Sequence, residues 1–335
     1  MTKVALLGGS GAAGLLATVL TEDPRVESVS RGGLANPVAA LEDVDIAVGI
    51  GPTDPALEQA AALAAAGAGV PYVSASGSPE VVQALRELNR RLEADGSLVL
   101  AGMSWTPGTT NLMLSKAARG LDTVQSVEVG WVASSEGPMG SSALAMAAER
   151  FGGSAHVISR GALRVEKAGS GAKPVFFPEP IGWKKVRVAR NAEAVMLEYG
   201  DGAPDSMVVR GALTSAAADA LTRALPAAMS SPGPDAHKPR ALGLLGKLSS
   251  GGPWSGLRVD VTGSKDGETA TTSYGLADQL PNLLVNPPLV AVSLLSKAKP
   301  SVSGVVFPDA VFDPEEYFAE LGARGVRVAT LQRAN

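Results

Sequence analysis

Hydrophobic and polar positions follow two different periods along this chain, and the change between them divides it. Up to about residue 118, short apolar runs take turns with longer stretches whose apolar positions recur every three to four residues. The runs "KVALL", "VESVS", "DIAVGI", "VPYVSAS" and "SLVLAGM" predict strands, most of them buried on both faces. Between them, "AAGLLATVLTED", "DPALEQAAALAAAGAG", "SPEVVQALRELNRRLEADG" and "TPGTTNLMLSKAARG" predict helices. Asp54-Pro55 and Ser78-Pro79 supply start signals for two of these. Such alternation predicts a doubly wound parallel sheet with helices on both faces. A ligand then belongs at the carboxyl ends of the strands, near the loops at 8–11, 51–54, 74–78 and 103–108.

From about residue 125 the period shortens to two. "VQSVEVGWVAS", "GALRVEKAG", "KKVRVAR", "AVMLEYG", "SMVVRGAL" and "LRVDVTGS" predict alternating strands with polar turns between them. "SSALAMAAERFGG" and "TSAAADALTRALPAAM" predict two helices in this region, and "SSPGPDAHKP" a Ser/Gly/Pro-rich loop. The last 65 or so residues return to helical periodicity and end in "PEEYFAELGARG". The fold class expected is α/β: an N-terminal Rossmann domain over 1–124 and an α+β domain on a mostly antiparallel sheet over 125–270. A helical segment over 271–335 returns to the first domain.

The opening stretch "VALLGGSGAAGLLATVL" has two readings, a secretory leader or a dinucleotide cradle. Glycines interrupt its apolar run, and a strand and a helix continue the pattern instead of restarting it, so the leader is rejected. Gly9-x-Gly11-x-x-Gly14 between a strand and a helix is the spacing that wraps backbone around a pyrophosphate. In this frame Gly9 permits the turn, Gly11 the approach of the phosphates, and Gly14 close helix–strand packing. The cradle runs from Gly8 and Gly9 through Ser10 and Gly11 to Ala12, Ala13 and Gly14, with Gly51 and Pro52 beside it.

Composition narrows the chemistry. A net charge of −4 argues against nucleic-acid binding, and the absence of cysteine excludes disulfides and thiolate metal sites. Only His156 and His237 are present, so no metal is expected. Asn286 and the Pro287-Pro288 pair interrupt "LLVNPPLVAVSLL", so no membrane span is expected. "GLLGKLSSGG" lacks phosphate-loop spacing and has Leu248 where Ser or Thr is required. About twenty residues beyond the glycines stand Ser30 and Arg31, neither acidic. An acidic residue there would bond a ribose 2′-hydroxyl, whereas an arginine fork matches a 2′-phosphate, so NADP is expected.

Four stretches together resemble the saccharopine dehydrogenase family: "LLGGSGAAG"; "DIAVGIGP" leading to "GVPYVSASG"; "MSWTPGTTNLM"; and "SGVVFPDAVFDPEEYFAELGARGV". "FFPEPIG" also resembles a signature of that family's second domain. The resemblance implies a split architecture and a nicotinamide cofactor. The family tends to carry Asp where this chain has Ser74, and Glu where it has Ser78.

Hydride transfer needs an acceptor held against the nicotinamide and a proton donor for the other atom. Ser74, Ser76, Met103, Ser104 and Trp105 are expected to line the cofactor, with Thr106 nearby. Trp105 would wall the nicotinamide pocket, Asn111 would bond a cofactor amide or the substrate, and Tyr274 (with Asp278 beside it) would donate the proton. Arg160, Arg164 and Arg187 are either substrate-carboxylate clamps or outward-facing strand residues. The function expected is an NADP-dependent, cytoplasmic, homodimeric oxidoreductase reducing a C=N or C=C bond of a small amino-acid-like metabolite. The alternatives are an enoyl or keto reductase on a lipid or carrier-bound acyl chain, and a non-catalytic NADP sensor.

Overall fold

The computed structural model describes residues 1–9, 11–51, 54–137, 139–198, 204–220, 251–298 and 300–331. Ser10, Pro52, His237, the loop "SSPGPDAHKP" and most of "GLLGKLSSGG" lie outside the described residues. The chain opens with β1 (Thr2–Leu7), α1 (Gly11–Glu22), β2 (Val26–Gly32), β3 (Ile46–Gly49), α2 (Pro55–Gly67) and β4 (Tyr72–Ser74). It continues with α3 (Pro79–Glu87), α4 (Asn89–Ala94), β5 (Leu98–Leu100) and α5 (Thr109–Ala118). The middle comprises β6 (Thr123–Ala133), α6 (Gly140–Arg150), β7 (Ser154–Ser159), β8 (Ala162–Lys167), β9 (Lys173–Phe177) and β10 (Gly182–Val188). There follow α7 (Glu193–Glu198), β11 (Ser206–Leu213), β12 (Trp254–Lys265) and β13 (Glu268–Gln279). Last come α8 (Leu280–Lys297), β14 (Gly304–Val306), α9 (Pro308–Val311), α10 (Pro314–Ala323) and β15 (Ala329–Thr330).

Two compact units result, one of Met1–Ser115 with Leu283–Gly325, the other of Lys116–Asn282 with Val326–Asn335. The first is a six-stranded parallel sheet in the order β2-β1-β3-β4-β5-β14. Apart from β2, which carries Glu27, Ser28, Ser30 and Arg31, its strands are short and mostly apolar; Val4, Ala5, Leu6 and Leu7 are all fully or almost fully buried. Asp54 caps α2, accepting from the Ala56 and Leu57 N–H groups at 2.9 and 3.2 Å, with Pro55 in the first turn. The returning C-terminal segment adds β14 beside β5, where Asn89 Oδ1 receives the Val305 N–H at 2.7 Å. α10 is fastened through Arg324 and Arg25, which both reach Asp23, while Arg25 also reaches Glu320.

The second unit is a nine-stranded sheet in the order β15-β13-β12-β6-β11-β10-β9, with the β7–β8 hairpin joined to β11. All pairs are antiparallel except β6 with β11. Two expectations fail here. Residues 271–279, assigned to the helical tail, are strand, because Asp266 and Gly267 both take positive φ and close a two-residue hairpin between Lys265 and Glu268. "AVMLEYG", expected as a strand, is largely the helix α7, whose Ala194, Val195 and Met196 are all buried. A short run buried all round has no period to distinguish helix from strand, and Ala, Met, Leu and Glu favour the helix. Among the described residues no helix is long and apolar enough to cross a membrane, although α8 runs unbroken through Pro287 and Pro288.

Candidate cofactor site

In the first sheet the chain leaves β1 outward to β2 and returns on the other side as β3. The topological switch point therefore lies between β1 and β3, where open α/β sheets bind ligands. The Ile50 N–H donates to Leu7 O, tying the end of β3 to β1, and the Gly8 N–H donates to Gly32 O, tying the end of β1 to β2, each at 2.9 Å. Gly8 has φ +151°, and a Cβ there would overlap the Ile50 carbonyl oxygen and stand 2.9 Å from its carbon. Gly9 is exposed, and a Cβ there would meet nothing within 4 Å. α1 starts at Gly11 and has no acidic residue in its first turn. Exposed backbone at Gly9 beside a helix start with no acidic residue in its first turn suits an anionic pyrophosphate.

The glycine frame differs from the sequence expectation in its reasons. Gly8 carries the steric demand, whereas Gly14 has nothing within 4 Å of a hypothetical Cβ, so close helix–strand packing does not require it. Gly11 is exposed and Ala12 half-buried, while Ala13 is buried under the turn.

At the end of β2, Arg31 is exposed and lies beside Leu6 in the sheet. Ser30 donates its hydroxyl proton to Ala40 O at 2.5 Å, so that proton is not available to a phosphate. Gly51 follows β3, where a Cβ would stand 3.8 Å from Gly8 Cα.

After β4, the Ser74 side chain is fully buried and donates to Glu58 Oε2 at 3.1 Å. It anchors its loop from beneath, through Glu58. Ser76 is also buried; its Oγ accepts the Ser78 N–H at 3.3 Å, and Ser78 Oγ donates to Glu80 Oε2 at 2.7 Å. After β5, the loop 103–108 folds tightly on itself. Gly108 has φ +106°, and a Cβ there would stand 2.7 Å from both Gly102 O and Ser104 N. Met103, Ser104, Trp105 and Thr106 are all buried. Asn111 is buried too, and its Oδ1 accepts the Gly108 N–H at 3.0 Å. Because that partner is a donor, the amide is oriented with its oxygen inward, and its nitrogen is the group it can offer.

Topology thus brings Gly8, Gly9, Gly51, Ser76, Ser104 and Asn111 to adjacent carboxyl ends of one sheet. Tyr274 belongs to the second unit. It is half-buried on β13, opposite Val259 and Thr330, with Lys116 Nζ 5.7 Å from its ring centroid. Asp278 Oδ1 accepts from the Gln279 N–H and from Asn282 Nδ2. Arg160 occupies the positive-φ turn of the β7–β8 hairpin, Arg164 is exposed on β8, and Arg187 is held by Asp219 at 2.6 Å. His156 is half-buried on β7.

Two residues escaped the sequence reading. Glu58 lies wholly buried on α2 and is met by both Tyr72 and Ser74. Tyr317 on α10 is buried, its hydroxyl 2.7 Å from Thr109 Oγ1 at the start of α5. Burial raises the phenol pKa of Tyr317, opposed by the Thr109 hydrogen bond.

Among solved structures, histidine-tagged apo saccharopine dehydrogenase (L-Glu forming) from Saccharomyces cerevisiae aligns over 99% of this chain and 100% of its own, at TM-score 0.64 and 15% identity. The fold is that of saccharopine dehydrogenase. A mutant meso-DAPDH with DAP from Clostridium tetani aligns over 96% of each chain, at TM-score 0.50 and 11% identity. DAP dehydrogenase from C. glutamicum, in complex with DAP, covers 96% of this chain and 98% of its own at TM-score 0.49 and 16% identity. No family model and no curated protein sequence matches the chain.

Proposed function

We propose that the first unit binds NADP and that the chain is an oxidoreductase reducing a C=N or C=C bond of a small, amino-acid-like molecule. The observation that carries the reading is the β1/β3 crevice, with Gly8 where a side chain would strike Ile50 and Gly9 open beside it. The shared fold of a dehydrogenase named for forming L-Glu supports an amino-acid-like substrate. Backbone of the Gly8–Gly11 turn would hold the pyrophosphate, and Arg31 the 2′-phosphate of the adenosine half. The loops after β3, β4 and β5 would receive the nicotinamide half. When bound, the reduced nicotinamide supplies hydride.

The chain's own residues orient and exclude water. Asn111, its oxygen engaged by Gly108, offers amide protons that can bond a carbonyl oxygen of the cofactor or substrate. Trp105, buried in the loop that Gly108 closes, supplies an apolar wall. The test is NADPH oxidation with a panel of α-imino acids, enoyl thioesters and ketones. Turnover with imines or unsaturated amino acids supports the reading, and turnover with acyl thioesters alone contradicts it.

A further inference from the structure

The proposed site gives no role to the buried acid Glu58. Glu58 has no exposed surface, and its Oε2 accepts from Tyr72 Oη at 2.7 Å and from Ser74 Oγ at 3.1 Å. Among the described residues its Oε1 is buried with no hydrogen-bond partner, and no cation compensates the carboxyl group. Burial pushes this carboxyl above its ordinary range, while the two hydroxyls pull it back only in part. An apolar residue in α2 would avoid the desolvation altogether.

What the carboxyl group touches suggests why it is there. Ser74 ends β4, and its Oγ also receives the Ser76 N–H at 3.5 Å. Ser76 Oγ receives the Ser78 N–H at 3.3 Å, and Ser78 donates onward to Glu80. The loop 74–78 is therefore held by a ladder of side-chain hydroxyls. A serine hydroxyl has one proton, so donating it to Glu58 leaves its lone pairs for the Ser76 N–H. Without an acceptor at position 58 the first rung is free to rotate.

We propose that Glu58 is a positioning residue that holds the loop 74–78 in the pose receiving the nicotinamide half of the cofactor. The nicotinamide clause rests on the dinucleotide reading above; the anchoring itself can be read in the protein alone.

The test compares amide hydrogen exchange over residues 74–78, and NADPH affinity, in Glu58→Leu, Glu58→Gln and Tyr72→Phe. Glu58→Leu should speed exchange in the loop and weaken NADPH binding, each by about tenfold. Glu58→Gln, which keeps an acceptor oxygen, should restore both. Tyr72→Phe removes the other hydroxyl from the same oxygen and should lower the melting temperature without loosening the loop. If Glu58→Leu does not fold, Ser74→Ala removes the rung from the other side and should speed the same exchange. Unchanged exchange in whichever of these two variants folds overturns the proposal, as does equal loosening by Tyr72→Phe. A loop loosened by Glu58→Leu in a protein whose wild type binds neither dinucleotide upholds the anchoring and overturns the cofactor reading.

Discussion

The hydroxyls of Tyr317 and Thr109 lie 2.7 Å apart with both residues buried, joining the C-terminal helix to the start of α5. Thr109 also reaches Ser104 O, through its N–H at 2.9 Å and its hydroxyl at 3.4 Å, so the link bears on the loop 103–108. Tyr317→Phe keeps the ring in place and leaves the Thr109 hydroxyl with only its longer contact to Ser104 O. It should destabilise the protein by about 1–2 kcal/mol in urea unfolding. A double-mutant cycle with Thr109→Val should give a coupling of roughly 1 kcal/mol. Additive effects would mean that the pair does not bond in solution.

The glycines of the first turn should behave in opposite ways. Gly8→Ala forces a Cβ into the Ile50 carbonyl at φ +151° and should unfold or severely destabilise the first unit. Gly14→Ala meets open space inside α1 and should stabilise by about 0.5–1 kcal/mol. Circular dichroism melts of both variants check this; equal losses would contradict the geometry.

Cofactor choice should lie with Arg31 and not with Ser30. Arg31→Ala should weaken NADPH by about 10- to 100-fold and leave NADH unchanged, as expected for one lost charge-assisted contact. Ser30→Ala removes a hydroxyl already engaged by Ala40 and should cost stability without changing the NADPH:NADH ratio. Calorimetric titration of both cofactors separates the two; a wild type preferring NADH would contradict the assignment.

Glu58 makes a signed statement about pH. Its carboxyl is raised above 4.5 in the folded protein, so folding retains a proton that the unfolded chain releases near that value. Its contribution is fully present below about 4.5 and declines as the pH rises toward the folded value. Glu58→Gln cannot titrate, so its melting temperature should gain on the wild type as the pH climbs from about 4.5. A difference that is flat with pH would mean equal protonation of Glu58 in both states.

The parallel sheet was legible because short, mostly apolar strands and amphipathic helices repeat a single pattern along the first third of the chain. The loops of the candidate site followed from it, since strand ends fix where such sheets bind ligands. Side-chain partnerships were not legible. Tyr72 and Ser74 meet Glu58 only because β4 lies against α2, and nothing local in "PALEQAAALAAAG" marks a buried acid. The hairpin at Asp266-Gly267 did carry a turn signal, "KDGE". The helical periodicity of the tail belongs to the apolar run that follows, in α8. The packing role expected of Gly14 was not legible, because spacing shows which glycines could matter, whereas the Ile50 carbonyl is what bars a side chain at Gly8.

The most direct measurement is a titration of NADPH into wild-type protein and Gly9→Val, with melting temperatures recorded for both. A Cβ at Gly9 meets nothing within 4 Å among the described residues beyond its chain neighbours, so the variant should fold like the wild type. Its side chain would project where the pyrophosphate must approach the backbone. Saturable NADPH binding by the wild type, weakened on the order of 100-fold in a Gly9→Val protein of unchanged melting temperature, is the result expected. Equal binding by the two proteins, or no binding by the wild type, would contradict a dinucleotide site at the β1/β3 crevice.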